Sequence, residues 1–259
     1  MKKTIDIGWC DTNHETSLIY YEPEPLYESV YKDVTTAFKV CPAVRDYLRN
    51  FYILRSPIDL NFVLKKESDT ECLIGYDSKA DQEKGKNWIV FEDRKREWSP
   101  KHADESTSRL KMKPGNPPLI SFSFHYLFIS DIPNVYVEEM PPYLHMHNLT
   151  WCKNMRFVPG SFDIGSWYRA IDIACEYTGE YDAITIKRGD PMCYVRFRAP
   201  NDEKANLVRI AANDEIKRLI DTATMTKEYV TGLSLKELYR RFIKIKRKTS
   251  YIERLRLDR

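Results

Sequence analysis

The stretch LISFSFHYLFISD, residues 119–131, constrains this chain more than any other. Ile120, Phe122, Phe124, Tyr126 and Phe128 recur every second residue, while Ser121, Ser123 and His125 begin the opposite series. A period of two places all five large apolar groups on one face of a strand, whereas a helix would scatter them around its axis. The segment is therefore a strand with one face in a core. PIDLNFVL repeats the pattern with Ile58, Leu60 and Phe62, and ECLIGYD and NWIVFED read as two more strands. NVYVEE, YLHMHNL and NMRFVPG continue in the same short, turn-separated style, which is that of an antiparallel sandwich or barrel.

The expected fold is mainly β, with residues 55–200 forming the sandwich or barrel, a helix near the N-terminal third and a helical pair at the C-terminus. Three regions follow: an extended arm over 1–40, a β-rich core domain over 41–200, and a basic helical segment over 201–259 packed on that core. In the arm, Pro23 and Pro25 interrupt YYEPEPLYESVYKD and argue against regular helix. In CPAVRDYLRNFYILRS, Val44, Tyr47, Leu48 and Phe51 are spaced for one helical face, with Pro42 in the first turn. Residues 94–117 are polar, charged and proline-terminated, which predicts an exposed loop. After Pro200, Leu207, Ile210, Ala211, Ile216, Leu219 and Ile220 form a rough helical stripe. A second helix opens at Ser234, with Glu237 three residues on in a capping-box pattern, and runs through the C-terminus.

With 259 residues, 42% of them hydrophobic, the chain can bury a substantial core. No apolar run reaches the roughly 18 residues of a membrane helix, and the two N-terminal lysines lead into no apolar segment, so neither membrane insertion nor secretion is expected. None of the six cysteines forms a Cys-x-x-Cys pair, and Cys175 and Cys193 lie inside apolar strands; these are structural thiols. Gly-x-Ser-x-Gly, Gly-x-x-x-x-Gly-Lys and Gly-x-Gly-x-x-Gly are all missing, which removes the usual hydrolase, P-loop and dinucleotide readings. No catalytic residue is assigned, and the reading leans away from an enzyme.

Two features could carry a site. In LHMH, His145 and His147 project to one face of an extended segment and could hold Fe, Mn or Zn if His125 were added from a neighbouring strand. A bare His-x-His pair lacks the ligand number such sites need, so no cofactor is assigned. From Lys236 to Arg259 the chain carries ten Lys or Arg against three acids. Lys236, Arg240, Arg241, Lys244, Lys246, Arg247 and Lys248 are the partner-binding candidates, interleaved with an apolar seam of Leu235, Leu238, Tyr239, Phe242 and Ile245. Basic amphipathic helices of this kind meet acidic proteins or phosphate backbones. Overall the net charge is only +3, so any such argument is local.

PGSFDIGSWYRAIDIACEYTGEYDAITIKRGDPMCYVRF, residues 159–197, adds a third candidate. Gly160 and Asp163, then Tyr168-Arg169, then Gly189-Asp190 followed by Met192 resemble the last two motifs of the dUTPase-like, or β-clip, family. The resemblance implies a β-clip-like arrangement, with Asp163 matching the aspartate that orients a hydrolytic water and Tyr168 the tyrosine near the deoxyribose. Asp163, Tyr168, Arg169 and Asp190 are thus the ligand-binding candidates for a nucleotide or small molecule. The family's Pro-Arg-Ser-Ser phosphate motif is absent, RSPID at 55–59 being the nearest string, and so is its glycine-rich C-terminal arm. The expectation is that Asp163 caps its own turn and that Gly189-Asp190 forms a tight corner between strands.

Across residues 40–200, the order CPAVRDYLRNFYILRSPIDLNF, PLISFSFHYLFISDIPNVYVEEMPPYLH, GSFDIGSWYRAIDIACEY and ITIKRGDPMCYVRF resembles proteins of large contractile-tailed bacteriophages, and more remotely a bacterial family of unknown function. This resemblance brings no catalytic residues. It implies a phage origin and a β-rich single domain. With the arms at both ends and the aromatic content, the expectation is a virion-associated or host-interaction protein in the virion or the host cytoplasm, with other phage or host proteins or a second copy as partners, nucleic acid through the C-terminal helix, and no membrane.

Overall fold

The computed structural model describes residues 3–12, 19–33, 41–76, 78–91, 107–111, 114–229, 232–246 and 250–257. It is mainly β, built from several antiparallel sheets with helices near the C-terminus. Sheet A runs in the order β10 (Met155–Val158), β12 (Ala170–Tyr177), β8 (Leu119–Ile129), β1 (Thr4–Asp11), β15 (Lys204–Arg209), and β6 (Ile89–Phe91) also pairs with β8. Sheet B runs β11 (Gly160–Asp163), β9 (Tyr136–Met140), β14 (Pro191–Arg198), β3 (Phe51–Arg55), β2 (Glu24–Pro25). Sheet C runs β13 (Tyr181–Ile186), β4 (Leu60–Ser68), β5 (Glu71–Gly75), β7 (Thr107–Lys111).

The alternating strand is the hinge of this arrangement. Ile120, Phe122, Phe124, Tyr126 and Phe128 are all buried. The regular backbone breaks at His125, which takes a φ of 56°, while the pairing with β12 slips between Ala170↔Leu127 and Asp172↔Ser123. Such a bulge bends and twists the strand, which lets its two halves face different neighbours. Before it, Phe122 meets Phe62 of sheet C at 6.2 Å between ring centroids; after it, Phe128 meets Phe197 of sheet B at 5.0 Å. A buried aromatic of this kind contributes about 1.5–3 kcal/mol by leaving water.

Sheets B and C are joined twice, side by side. β3 passes into β4 through Ser56–Asp59, and β13 into β14 through Lys187–Asp190. The two crossings hydrogen-bond to each other, Ser56 N–H to Asp190 O at 2.9 Å and Gly189 N–H to Ser56 O at 2.8 Å. Gly189 has a φ of +92°, which only glycine takes without strain. The expected tight corner is there.

Several expectations need correction. The N-terminal segment read as an arm contributes β1, which lies between β8 and β15 and pairs in parallel with the latter. Pro23 and Pro25 precede a helix, α1 (Leu26–Asp33), because a proline just before the first turn costs no hydrogen bond. The helix at Pro42 is only α2 (Pro42–Tyr47); Phe51 opens β3 and is buried there. NWIVFED is not one strand, since α3 (Lys79–Trp88), capped by Ser78, runs into it. β7 falls inside the expected 94–117 loop, and residues 94–106, 112 and 113 of it lie outside the described residues. YLHMHNL is not extended: after Pro141-Pro142 it folds into tight turns, with a 3-10 turn over Met146–Asn148.

The C-terminal stripe splits into β15 and α4 (Asp214–Tyr229), and the last helix into α5 (Leu235–Ile245) and α6 (Tyr251–Leu255). Ser250 starts α6 anew by accepting from Glu253 N–H at 3.2 Å. Ser234 caps α5 as expected, accepting from Glu237 N–H at 3.3 Å. No helix among the described residues is long and apolar enough to cross a membrane.

Candidate functional site

The Gly160–Arg169 stretch leaves sheet B at Asp163, turns, and enters sheet A at Ala170. Asp163 is almost fully buried. One carboxylate oxygen accepts from Asn134 N–H at 2.9 Å and Ser166 O–H at 2.6 Å; the other accepts from Gly165 N–H at 2.9 Å. The carboxylate thus caps its own turn and ties it to the 130–135 loop. Gly165 is required for that contact, because a Cβ there would run into the Ile132 carbonyl. Three of the carboxylate's roughly four acceptor sites are thus spent on protein donors, in a buried position.

The remaining face of the turn is covered by α5. Asp163 N–H donates to the Tyr239 hydroxyl at 2.8 Å. Phe242, buried, lies 5.6 Å from the Trp167 ring and 5.1 Å from that of Tyr168. Lys246 ends the helix and turns inward: its Nζ donates to Ser130 O and Gly165 O, both at 2.9 Å, over the Tyr168 ring at 4.9 Å. Burial lowers the Lys246 pKa to about 8, against the pull of Asp131 and Asp163. Two candidates read separately, the Asp163 turn and the basic tail, are therefore one packed unit.

This divides the tail candidates. Lys236, Arg240, Arg241 and Lys244 are exposed, whereas Lys246 is an internal anchor and not a partner-facing cation. Arg247 and Lys248 lie outside the described residues. The apolar seam divides likewise: Phe242 is buried, but Leu235 and Ile245 are each close to half exposed, as is Ile243 beside them.

The other candidates do not gather around Asp163. Tyr168 is fully buried, and burial drives its hydroxyl pKa far up. Asp190 belongs to the B–C corner, where it accepts from Lys187 N–H at 2.8 Å. Arg169 lies over the Phe162 ring at 5.0 Å, with Nη2 3.4 Å from Asp172 Oδ2. The three histidines are also apart. His125 sits in the β8 bulge against Trp88, His145 shares a 2.5 Å hydrogen bond with the Tyr194 hydroxyl, and His147 is exposed in its turn. Among the described residues no three His, Cys, Asp or Glu side chains are grouped to hold a metal. Five cysteines are buried, and burial raises the thiols of Cys10 and Cys152 to about 12.

One group escaped the sequence. Glu139, on β9, points into the interior between Gly160 and Val195 and is only 9% exposed. Desolvation raises its pKa to about 7; Arg169 opposes that rise and Asp172 adds to it. Gly160 makes the room, since a Cβ there would stand 3.3 Å from Glu139 Oε2. Asp172 in turn accepts from Ser123 O–H at 2.7 Å. The only sequence signal was weak: in NVYVEE the second of two adjacent glutamates falls in the apolar series of the strand, with Val137. No protein-family model and no curated protein sequence matches the chain, so the case for function rests on these residues.

Proposed function

We propose that this chain is a non-enzymatic binding protein of a tailed bacteriophage, virion-associated or directed at a host component, which presents α5 to an acidic partner. One observation carries the reading: α5 is fixed to the body by Tyr239, Phe242 and Lys246, yet it leaves Lys236, Arg240, Arg241 and Lys244 exposed beside the half-exposed Leu235, Ile243 and Ile245. Exposed cations alone are ordinary solvated surface, but cations interleaved with large aliphatics are characteristic of contact surfaces. The burial of Asp163 and its use as a cap for the turn and the neighbouring loop support the non-enzymatic part. The phage part rests on the resemblance of the four segments named above.

Salt elution from an immobilised polyanion such as heparin tests the contact. The Lys236→Glu, Arg240→Glu, Arg241→Glu, Lys244→Glu combination should fold with an unchanged melting temperature and elute at much lower salt, since charge-mediated binding weakens as salt rises. Equal elution of variant and parent would refute the role of α5. Mass spectrometry of purified virions separates the two settings: the chain's presence assigns it to the particle, its absence to the host cell.

A further inference from the structure

Among the described residues, the face of sheet B turned away from sheet A is covered only in part. A small core of Leu26, Leu48, Phe51, Ile53 and Tyr194 sits over one portion. Beyond it, β14 and β9 present Arg196 opposite Glu138 and Arg198 opposite Tyr136. The guanidinium of Arg198 lies 5.0 Å from the Tyr136 ring centroid, and that of Arg196 lies 5.3 Å from Tyr47 of α2. Glu138 holds both arginines in place, 3.7 Å from Arg196 Nη1 and 3.3 Å from Arg198 Nε. The planes are open to solvent: the side chain of Arg198 is 59% exposed and Tyr47 49%.

We infer that this face binds single-stranded nucleic acid, with the guanidinium and phenol planes stacking bases and the arginine charges meeting phosphates. Outward residues on one strand recur about every 6.6 Å, comparable with the phosphate repeat of an extended strand. Arginine and tyrosine planes accept any base, whereas in a duplex the base faces are already stacked on one another. Two arginines outweigh the one glutamate that positions them. The basic surface also continues at the far edge. Asp163, which pairs with Tyr136, donates to Tyr239 of α5, and Lys236 and Arg240 flank Tyr239 on that helix. The inference stands on sheet B and holds whether or not α5 has a partner of its own.

Fluorescence anisotropy of the full chain with a labelled oligothymidine, and with a duplex of equal length, tests it. The single strand should bind more tightly. Arg198→Ala and Tyr47→Ala should each weaken it about tenfold, the loss typical of one base-stacking contact. Arg198→Ala should also lower the salt slope by about 0.7, the value for one phosphate on a single strand. Both positions are half exposed, so melting temperatures should hold; Arg198→Gln replaces Arg198→Ala if that variant melts early. The α5 charge-reversal combination should weaken single strand and duplex alike and leave the preference intact. The inference is overturned by an absent single-strand preference, by parental affinity in both sheet variants, or by binding that depends on α5 alone. Affinity for an acidic protein such as pepsin, with none for oligothymidine, would assign the face to protein partners and overturn it as well.

Discussion

Glu139→Gln should make the protein more stable, by an amount that grows as pH rises from about 4.5 to about 7. The native carboxyl is enclosed between the β-sheets, where desolvation raises its pKa from 4.5 to about 7. A carboxyl whose folded pKa exceeds its unfolded value stabilises the native state fully below the unfolded value. That contribution is lost as pH rises through the folded one. The window here runs from about 4.5 to 7. At about 1.4 kcal/mol per pH unit, the gap sets a ceiling of about 3 kcal/mol lost by pH 8. Glutamine keeps the shape and cannot ionise, so the variant should be close to the parent at pH 5, gain on it through pH 6 and 7, and level off at up to about 3 kcal/mol by pH 8. Urea unfolding followed by tryptophan fluorescence at pH 5, 6, 7 and 8 reads this directly. The series stops there because Lys246, lowered to about 8, begins to titrate with the opposite sign. A pH-independent difference would refute the reasoning. So would a variant that loses ground at pH 8, which would mean that Arg169 stabilises an ionised Glu139.

Two further predictions concern the unit formed by the turn and α5. Asp163→Ala leaves Asn134 N–H, Gly165 N–H and Ser166 O–H without their acceptor, at about 1–3 kcal/mol for each donor left buried and unmet; a large drop in the urea midpoint is expected, and an unchanged midpoint would show the cap to be dispensable. Phe242→Ala should cost about 3–5 kcal/mol as a buried aromatic truncation and red-shift the emission of Trp167, whose ring loses its partner; emission that stays put would mean α5 is held by other contacts.

How much of this was legible in the sequence depends on how local the cause is. The β8 pattern, the Ser234 cap and the Gly189 corner are written in neighbouring residues, and all three were read correctly. The His125 bulge was hidden because the apolar alternation passes through it unbroken; only pairing with β12 reveals the slip. β15 differs from the helical expectation because Leu207 and Ile210 are three apart, a helical spacing, whereas its strand state is set by β1, about 200 residues away in sequence. β7 carries one large apolar residue in TSRLK and pairs through its backbone with β5, so hydropathy could not mark it. Lys246 looked like one more cation in a basic run, because its carbonyl acceptors lie on loops more than 80 residues away in sequence.

The same reasoning explains why the Gly160–Arg169 stretch resembles a nucleotide motif while its residues do other work. An aspartate after a strand, a glycine two residues on, and an aromatic followed by arginine are what any turn needs to cross between two packed sheets. The aspartate gathers the turn's N–H groups, the glycine admits the neighbouring loop, and the aromatic fills the gap between layers. A ligand site requires in addition that the aspartate keep a free lone pair toward solvent. Here Asn134, Gly165 and Ser166 take the carboxylate, Tyr239 covers the backbone, and Phe242 seals the aromatic. The turn has become the seat of a helix, and the contact surfaces proposed above lie elsewhere, on α5 and the arginine-bearing face of sheet B. Undocking α5 by Phe242→Ala should therefore expose Asp163 without making it a site: nucleotide affinity should stay absent, and tight binding of dUTP by that variant would show the turn to be a blocked pocket after all.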